Sequence, residues 1–119
     1  MPIDPVVAQF QYTITIPASG TISDTISLVN QTLVGIQMPA AWSAADLTFR
    51  VSPDNINFSD MYDQFGNEFV VKTSASRFVV LNPADWVGVR FLSVRSGTVG
   101  TPVTQPSARD ITLINRAVQ

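Results

Sequence analysis

The acids are the first residues to weigh for chemistry. The chain carries eight Asp and one Glu, Glu68, and its tightest acidic grouping is Asp60, Asp63 and Glu68. Two carboxylates are enough for glycoside hydrolysis, so that reaction class passes the first test. These three flank a turn, however, and no cluster of polar residues accompanies them. Acids so placed ordinarily shape and solvate the turn. Histidine and cysteine are both absent. That removes the commonest general base, the strongest side-chain nucleophile, the Ser-His-Asp and Cys-His constellations, and every His/Cys zinc site. The segment Asp54-Asn55-Ile56-Asn57-Phe58-Ser59-Asp60 is rich in oxygen. An EF-hand loop needs oxygen ligands at alternate positions, and Ile56 occupies one of them. Neither Gly97 nor Gly100 belongs to a phosphate-loop pattern. The expectation is a protein with no catalytic residues, no metal site and no cofactor.

Two aromatics remain as binding candidates. Trp42 and Trp86 each follow a Pro-Ala segment. They read either as sugar-stacking platforms or interface residues, or as caps on the ends of a hydrophobic core. No Asn/Asp/Arg cluster accompanies them, which favours the caps.

Composition points from chemistry toward assembly. The chain has 119 residues, enough for one domain. Charged residues make up 13%, against about 25% in an ordinary soluble domain. Eleven Ser and eleven Thr stand where charges would otherwise be. A surface this poor in charge suits being covered by other protein. The formal net charge is −2, and the seven basic residues, Lys72 the one lysine among them, are scattered. No basic run suggests nucleic acid, and nothing suggests a membrane partner. The stretch from Thr25 to Ala45 is uncharged and long enough to cross a bilayer. It contains Asn30, Gln31, Gly35, Gln37 and Pro39 among alternating apolar residues, and so reads as strands. The first residues have neither the basic nor the apolar region of a secretory leader.

The elements that would position any site are strands. Phe10, Tyr12, Ile14 and Ile16 alternate with Gln11, Thr13 and Thr15, the period of a half-buried strand. Ile22, Ile26 and Leu28 mark a second strand, which Asp24 interrupts as at an edge or bulge. Leu33, Val34 and Ile36 give a third, and Leu47, Phe49 and Val51 a fourth. Phe58–Tyr62 and Glu68–Lys72 follow around a turn at residues 63–67. Phe78-Val79-Val80-Leu81 is continuously apolar and reads as a central strand. Val87–Arg95 and Ile111–Ile114 complete the set. Pro39–Asp46 is the one weakly helical stretch, too short for a stable helix. About nine short strands separated by turn signals predict an all-β, two-sheet, jelly-roll-like sandwich over residues 9–119.

Residues 1–8 read as an extended arm. Pro2 and Pro5 withhold backbone donors from any ladder, while Ile3, Val6 and Val7 are apolar. The arm is expected to dock on a neighbouring subunit or on the shell that the domain binds.

Several segments together carry a resemblance. They are Val34-Gly35-Ile36-Gln37-Met38-Pro39-Ala40-Ala41-Trp42, Leu47–Asp54, Asp60-Met61-Tyr62-Asp63, Gly66-Asn67-Glu68, Val89–Gly97, and Pro102-Val103-Thr104-Gln105. Over roughly residues 10–115 the chain resembles the small structural proteins of tailed-bacteriophage particles. That resemblance implies a non-enzymatic virion component, such as a capsid decoration or cement protein. Its partners would be the major capsid protein and its own copies, as a homo-oligomer, by analogy a trimer. It would reside on the particle surface, after assembly in the host cytoplasm. A strand followed by Ser-Pro-Asp and an aromatic also occurs in galactose-binding-like sandwiches. The alternative is therefore a carbohydrate-binding or tail, neck or fibre module.

Overall fold

Inward-facing aliphatics on alternate residues draw two sheets together, and a computed structural model describes the result for residues 9–117. The strands are β1 (Gln9–Ile16), β2 (Ile26–Ser27), β3 (Gln31–Gln37), β4 (Leu47–Ser52), β5 (Ser59–Asp60), β6 (Phe78–Val80), β7 (Phe91–Ser96) and β8 (Arg109–Ala117). One sheet has the order β1-β8-β3-β6 and the other β2-β7-β4-β5, with every pairing antiparallel. This is jelly-roll connectivity, in which consecutive strands change sheet except at β4–β5, and the first and last strands pair at one end of their sheet. The proposed arm, with Ile3, Val6 and Val7, lies outside the described residues.

The alternation in β1 is realised in its register. Ile14 and Ile16 are fully buried, and Tyr12, Ile14 and Ile16 pair with Leu113, Ile111 and Arg109 of β8. Facing them across the sandwich are Leu47, Phe49, Leu92 and Val94. Phe49 and Phe69 both meet Trp86 edge-on, at centroid distances of 4.9 and 5.2 Å. That arrangement suits the ring quadrupoles.

Several expected elements differ. The Phe78–Leu81 run is not central: among the described residues β6 forms an edge of its sheet, bonded to β3 alone. The reason is that Phe78 and Val80 point outward while Val79 packs on the core. An unbroken apolar run marks a central strand only when both faces are covered. Glu68–Lys72 is reduced to isolated bridges, Tyr62 with Glu68 and Leu47 with Val71. Pro39–Asp46 is not helical. The helical turn among the described residues is instead a 3-10 turn at Pro83–Asp85. Asn82 caps it by accepting from the Ala84 N–H, and Pro83 opens it.

The long loop between β7 and β8 is tied down by an amide. Gln105 is fully buried. Its Nε2 donates to Ser43 O at 3.0 Å and Ser96 Oγ at 2.9 Å, and its Oε1 accepts from Ser43 N and Arg109 Nε. One side chain thus joins three segments distant in sequence and satisfies its own polar atoms.

Candidate functional site

The outer face of the β1-β8-β3-β6 sheet is uncharged across its middle. Register places Gln11 and Thr13 of β1, Thr112 and Ile114 of β8, Gly35 and Gln37 of β3, and Phe78 and Val80 of β6 on this face. Phe78 lies over Gly35: a Cβ at Gly35 would stand 2.8 Å from Phe78 Cζ. The glycine therefore lets the ring lie against the sheet. Even so Phe78 is 51% exposed and Val80 79%.

The edge beyond them is open. Met38 N donates to Arg77 O and Leu81 N to Val34 O, so the bonded rungs between β3 and β6 fall at alternate residues. By that alternation Val79 turns its backbone polar groups toward β3. Phe78 and Val80 turn theirs away from the sheet. Two exposed apolar side chains thus stand beside an unpaired run of donors and acceptors. Natural edges ordinarily guard such a run with charge or proline.

The opposite outer face is polar and its charges are paired. Arg95 of β7 has its Nη2 2.7 Å from Asp60 Oδ1, and its Nη1 3.9 Å from Glu68 Oε2 and 3.4 Å from Thr48 Oγ1. Arg50 lies 3.8 Å from the same Asp60 oxygen. Glu68 also accepts from Val99 N. Asp60 and Glu68 thus meet in space, as their sequence grouping suggested, but around an arginine. Asp63 is apart from them, accepting from Phe65 N and Asn67 N in its own turn. Those backbone donors, Asn67 foremost, hold its carboxyl below the usual range. Asp54 likewise accepts from Asn57 N, Ile56 N, Ser52 Oγ and Asn57 Nδ2. Its carboxyl is driven well below the ordinary value, chiefly by the Asn57 and Ile56 backbone. Within the oxygen-rich Asp54–Asp60 segment, both Asp54 carboxylate oxygens and Asp60 Oδ1 are thus bonded to protein donors. Among the described residues no three acids converge as a metal site would need.

The two tryptophans are not brought to a common surface. Trp86 is 0% exposed, wedged between Phe49 and Phe69, and its Nε1 has no hydrogen-bond partner among the described residues. A ring sealed in the core offers a partner nothing, so Trp86 is a core residue, not a contact residue. Trp42 is half-buried against the core and donates its indole N–H to Ala45 O at 3.1 Å. Two aromatics that do reach the surface, besides Phe78 and Phe10, are Tyr62 and Phe65. With Met61, Asp63, Gln64, Phe69 and Asp85 they line a hollow of about 400 Å³. Sequence patterning missed Phe78, Val80, Tyr62 and Phe65 as surface groups. The one available signal was that the 78–81 run is short and lies directly beside Arg77 and Asn82-Pro83.

No family model matches the chain, and no curated protein does. Among solved structures the chain is similar to the Yersinia pseudotuberculosis-derived mitogen. The two share 10% identity with a TM-score of 0.40, over 96% of this chain and 88% of that one.

Proposed function

We propose that this chain is a non-enzymatic structural protein of a virus particle, a capsid decoration or cement protein that binds the capsid shell and its own copies. The observation that carries the reading is the uncharged sheet face ending in the exposed Phe78 and Val80 edge. Leaving such a surface in water is unfavourable, and covering it with protein relieves that. The low charge of the whole chain supports the same reading. So does the jelly-roll connectivity, which viral capsid domains share with lectins, as an analogy of fold. The resemblance to tailed-phage structural proteins supplies the particle. The test is co-sedimentation of the tagged chain with intact tailed-phage particles. Saturable binding at a fixed number of copies per particle is expected, and no binding above a tagged control would overturn the reading.

One observation favours carbohydrate binding as the second reading. The hollow between Tyr62 and Phe65 combines exposed rings with Gln64 and Asp85, the pairing of stacking faces and hydrogen-bonding groups that a sugar uses. A glycan array separates the two. Specific retention abolished by Tyr62→Ala and Phe65→Ala would favour the sugar.

A further inference from the structure

The geometry points to a defined self-contact: β6 pairs antiparallel with β6 of a second copy, about a two-fold axis at Val79. This inference deepens the reading of the chain as a self-associating structural protein and rests on it.

The backbone is self-complementary in one register. Phe78 and Val80 both turn their N–H and C=O groups outward, as established by the β3 rungs. Centring the two-fold on Val79 sets Phe78 opposite Val80 of the second copy, and Val80 opposite its Phe78. Each such pair exchanges two hydrogen bonds in an antiparallel ladder. A shift by one residue would oppose outward groups to inward ones and lose the rungs. Side chains agree with backbone. Phe78 and Val80 share the outer face, so each ring would cover a valine across the strands, an aromatic–β-branched pair of the stabilising kind. The joined sheet would run through eight strands, without an open edge at its middle.

Charge at the ends is complementary as well. Arg77 precedes β6, and Asp85 closes the turn that follows it. Both are exposed, and neither is in a salt bridge among the described residues. Antiparallel pairing lays the Arg77 end of one copy beside the Asn82–Asp85 end of the other. The remaining edges fit less well. β2 and β5 have two residues each, and β5 includes the salt-bridged Asp60. β1 presents polar Gln11 and Thr13 outward, and its Thr15 already bonds Asp24 through N–H and C=O.

A contact of three residues per copy buries less than the roughly 800 Å² per partner of a stable complex. Association in solution is therefore weak and concentration-dependent, and gains strength where copies are held together on a particle. A two-fold contact builds dimers, whereas the trimer drawn from the virion analogy would close through a head-to-tail contact.

The absence of native cysteine makes the register testable. In a hydrogen-bonded pair the Cα atoms stand about 5.5 Å apart, within disulfide reach. Phe78→Cys mixed with Val80→Cys should therefore form a disulfide-linked dimer under mild oxidation. Either variant alone should form at least tenfold less, because like positions lie two residues out of register, beyond the roughly 7 Å limit. A second measurement guards against misfolding of those variants. Val80→Lys, at a highly exposed position, should weaken self-association at least tenfold by sedimentation velocity, with an unchanged melting temperature. If the native chain self-associates but neither the mixture nor Val80→Lys behaves so, the pairing is overturned and the structural-protein reading stands. If the chain stays monomeric at all concentrations yet decorates particles, the pairing alone is overturned. If it neither self-associates nor binds particles, both fail.

Discussion

Arg95 donates from Nη2 to Asp60 Oδ1 across 2.7 Å, although its side chain is only 8% exposed and belongs to the outer face of a sheet. The loop that follows β7 and the Glu68 segment wall it in: Thr48 Oγ1 donates to Gly97 O, and Val99 N to Glu68. A guanidinium so enclosed depends on its anions, because removing one partner of a buried pair leaves a charge without compensation. Asp60→Ala is therefore expected to cost about 2 kcal/mol, moderated by the partial exposure of Asp60. Arg95→Met, which keeps the apolar stem, should cost less. Urea unfolding of the two variants checks the order.

Trp86 is the largest fully buried side chain among the described residues. Its ring is fully buried between Phe49 and Phe69, and its N–H has no partner among those residues. Trp86→Ala should lose about 3–5 kcal/mol through the cavity it leaves. Trp86→Phe removes the orphan donor while keeping an aromatic edge, so it should cost well under half of that. Thermal melts read the difference, and near-ultraviolet circular dichroism confirms that the aromatic cluster is retained in the phenylalanine variant.

Gly97 and Gly100 make a matched pair of controls on one loop. Gly97 has φ +89, and a Cβ there would meet Thr101 O at 2.5 Å and Val103 N at 2.7 Å. Nothing lies within 4 Å of a Cβ at Gly100. Gly97→Ala should destabilise by more than about 2 kcal/mol, from a left-handed backbone and a clash with main chain together. Gly100→Ala should be neutral within about 0.5 kcal/mol. Equal melting temperatures for the two variants would refute the assignment.

The sandwich was legible where one face of a strand is buried and the other wet. The β1 alternation fixes which residues face Leu113 and Ile111, and Asp24 correctly marks the edge beside β2. It was illegible where apolar side chains face out. Phe78 and Val80 read as core because hydrophobic patterning assumes that apolar means inward. Only the third dimension shows that no element among the described residues covers them. Trp86 was legible as core through its lack of polar neighbours and not through periodicity, which a lone ring after a proline turn does not carry. The grouping of Asp60 with Glu68 was visible in sequence. Arg95, which organises them, lies far along the chain, and the β4–β7 register alone brings it there.

Acid should erode stability through the turns. Asp54 and Asp63 both titrate lower in the folded chain than unfolded, because backbone N–H groups bond their ionised forms. Their stabilisation is complete above the unfolded carboxylate value of about 4 and is lost as pH falls toward the folded values. Asp54→Ala should flatten the stability–pH curve between about pH 4 and pH 2 and narrow the gap to the native chain at the acidic end. Denaturant midpoints measured across that interval decide it.

The strand made latest of the eight is also the one that its sheet cannot do without. β8 lies between β1 and β3 and forms the long ladders to both, with Gln9 opposite Arg116 and Gln31 opposite Ala117. Until β8 has left the ribosome, β1 has no neighbour in its sheet, and Ile14 and Ile16 have nowhere to be buried. β3 and β6 can pair beforehand, but the four-stranded sheet closes only once β8 is available, by contacts between β1 and β8 that span the described chain. Such non-local closure is slow and leaves apolar strands waiting. For this chain the hazard falls on a nascent polypeptide holding the β6 edge, so production in many copies would gain from pacing synthesis or from a chaperone at the tunnel exit.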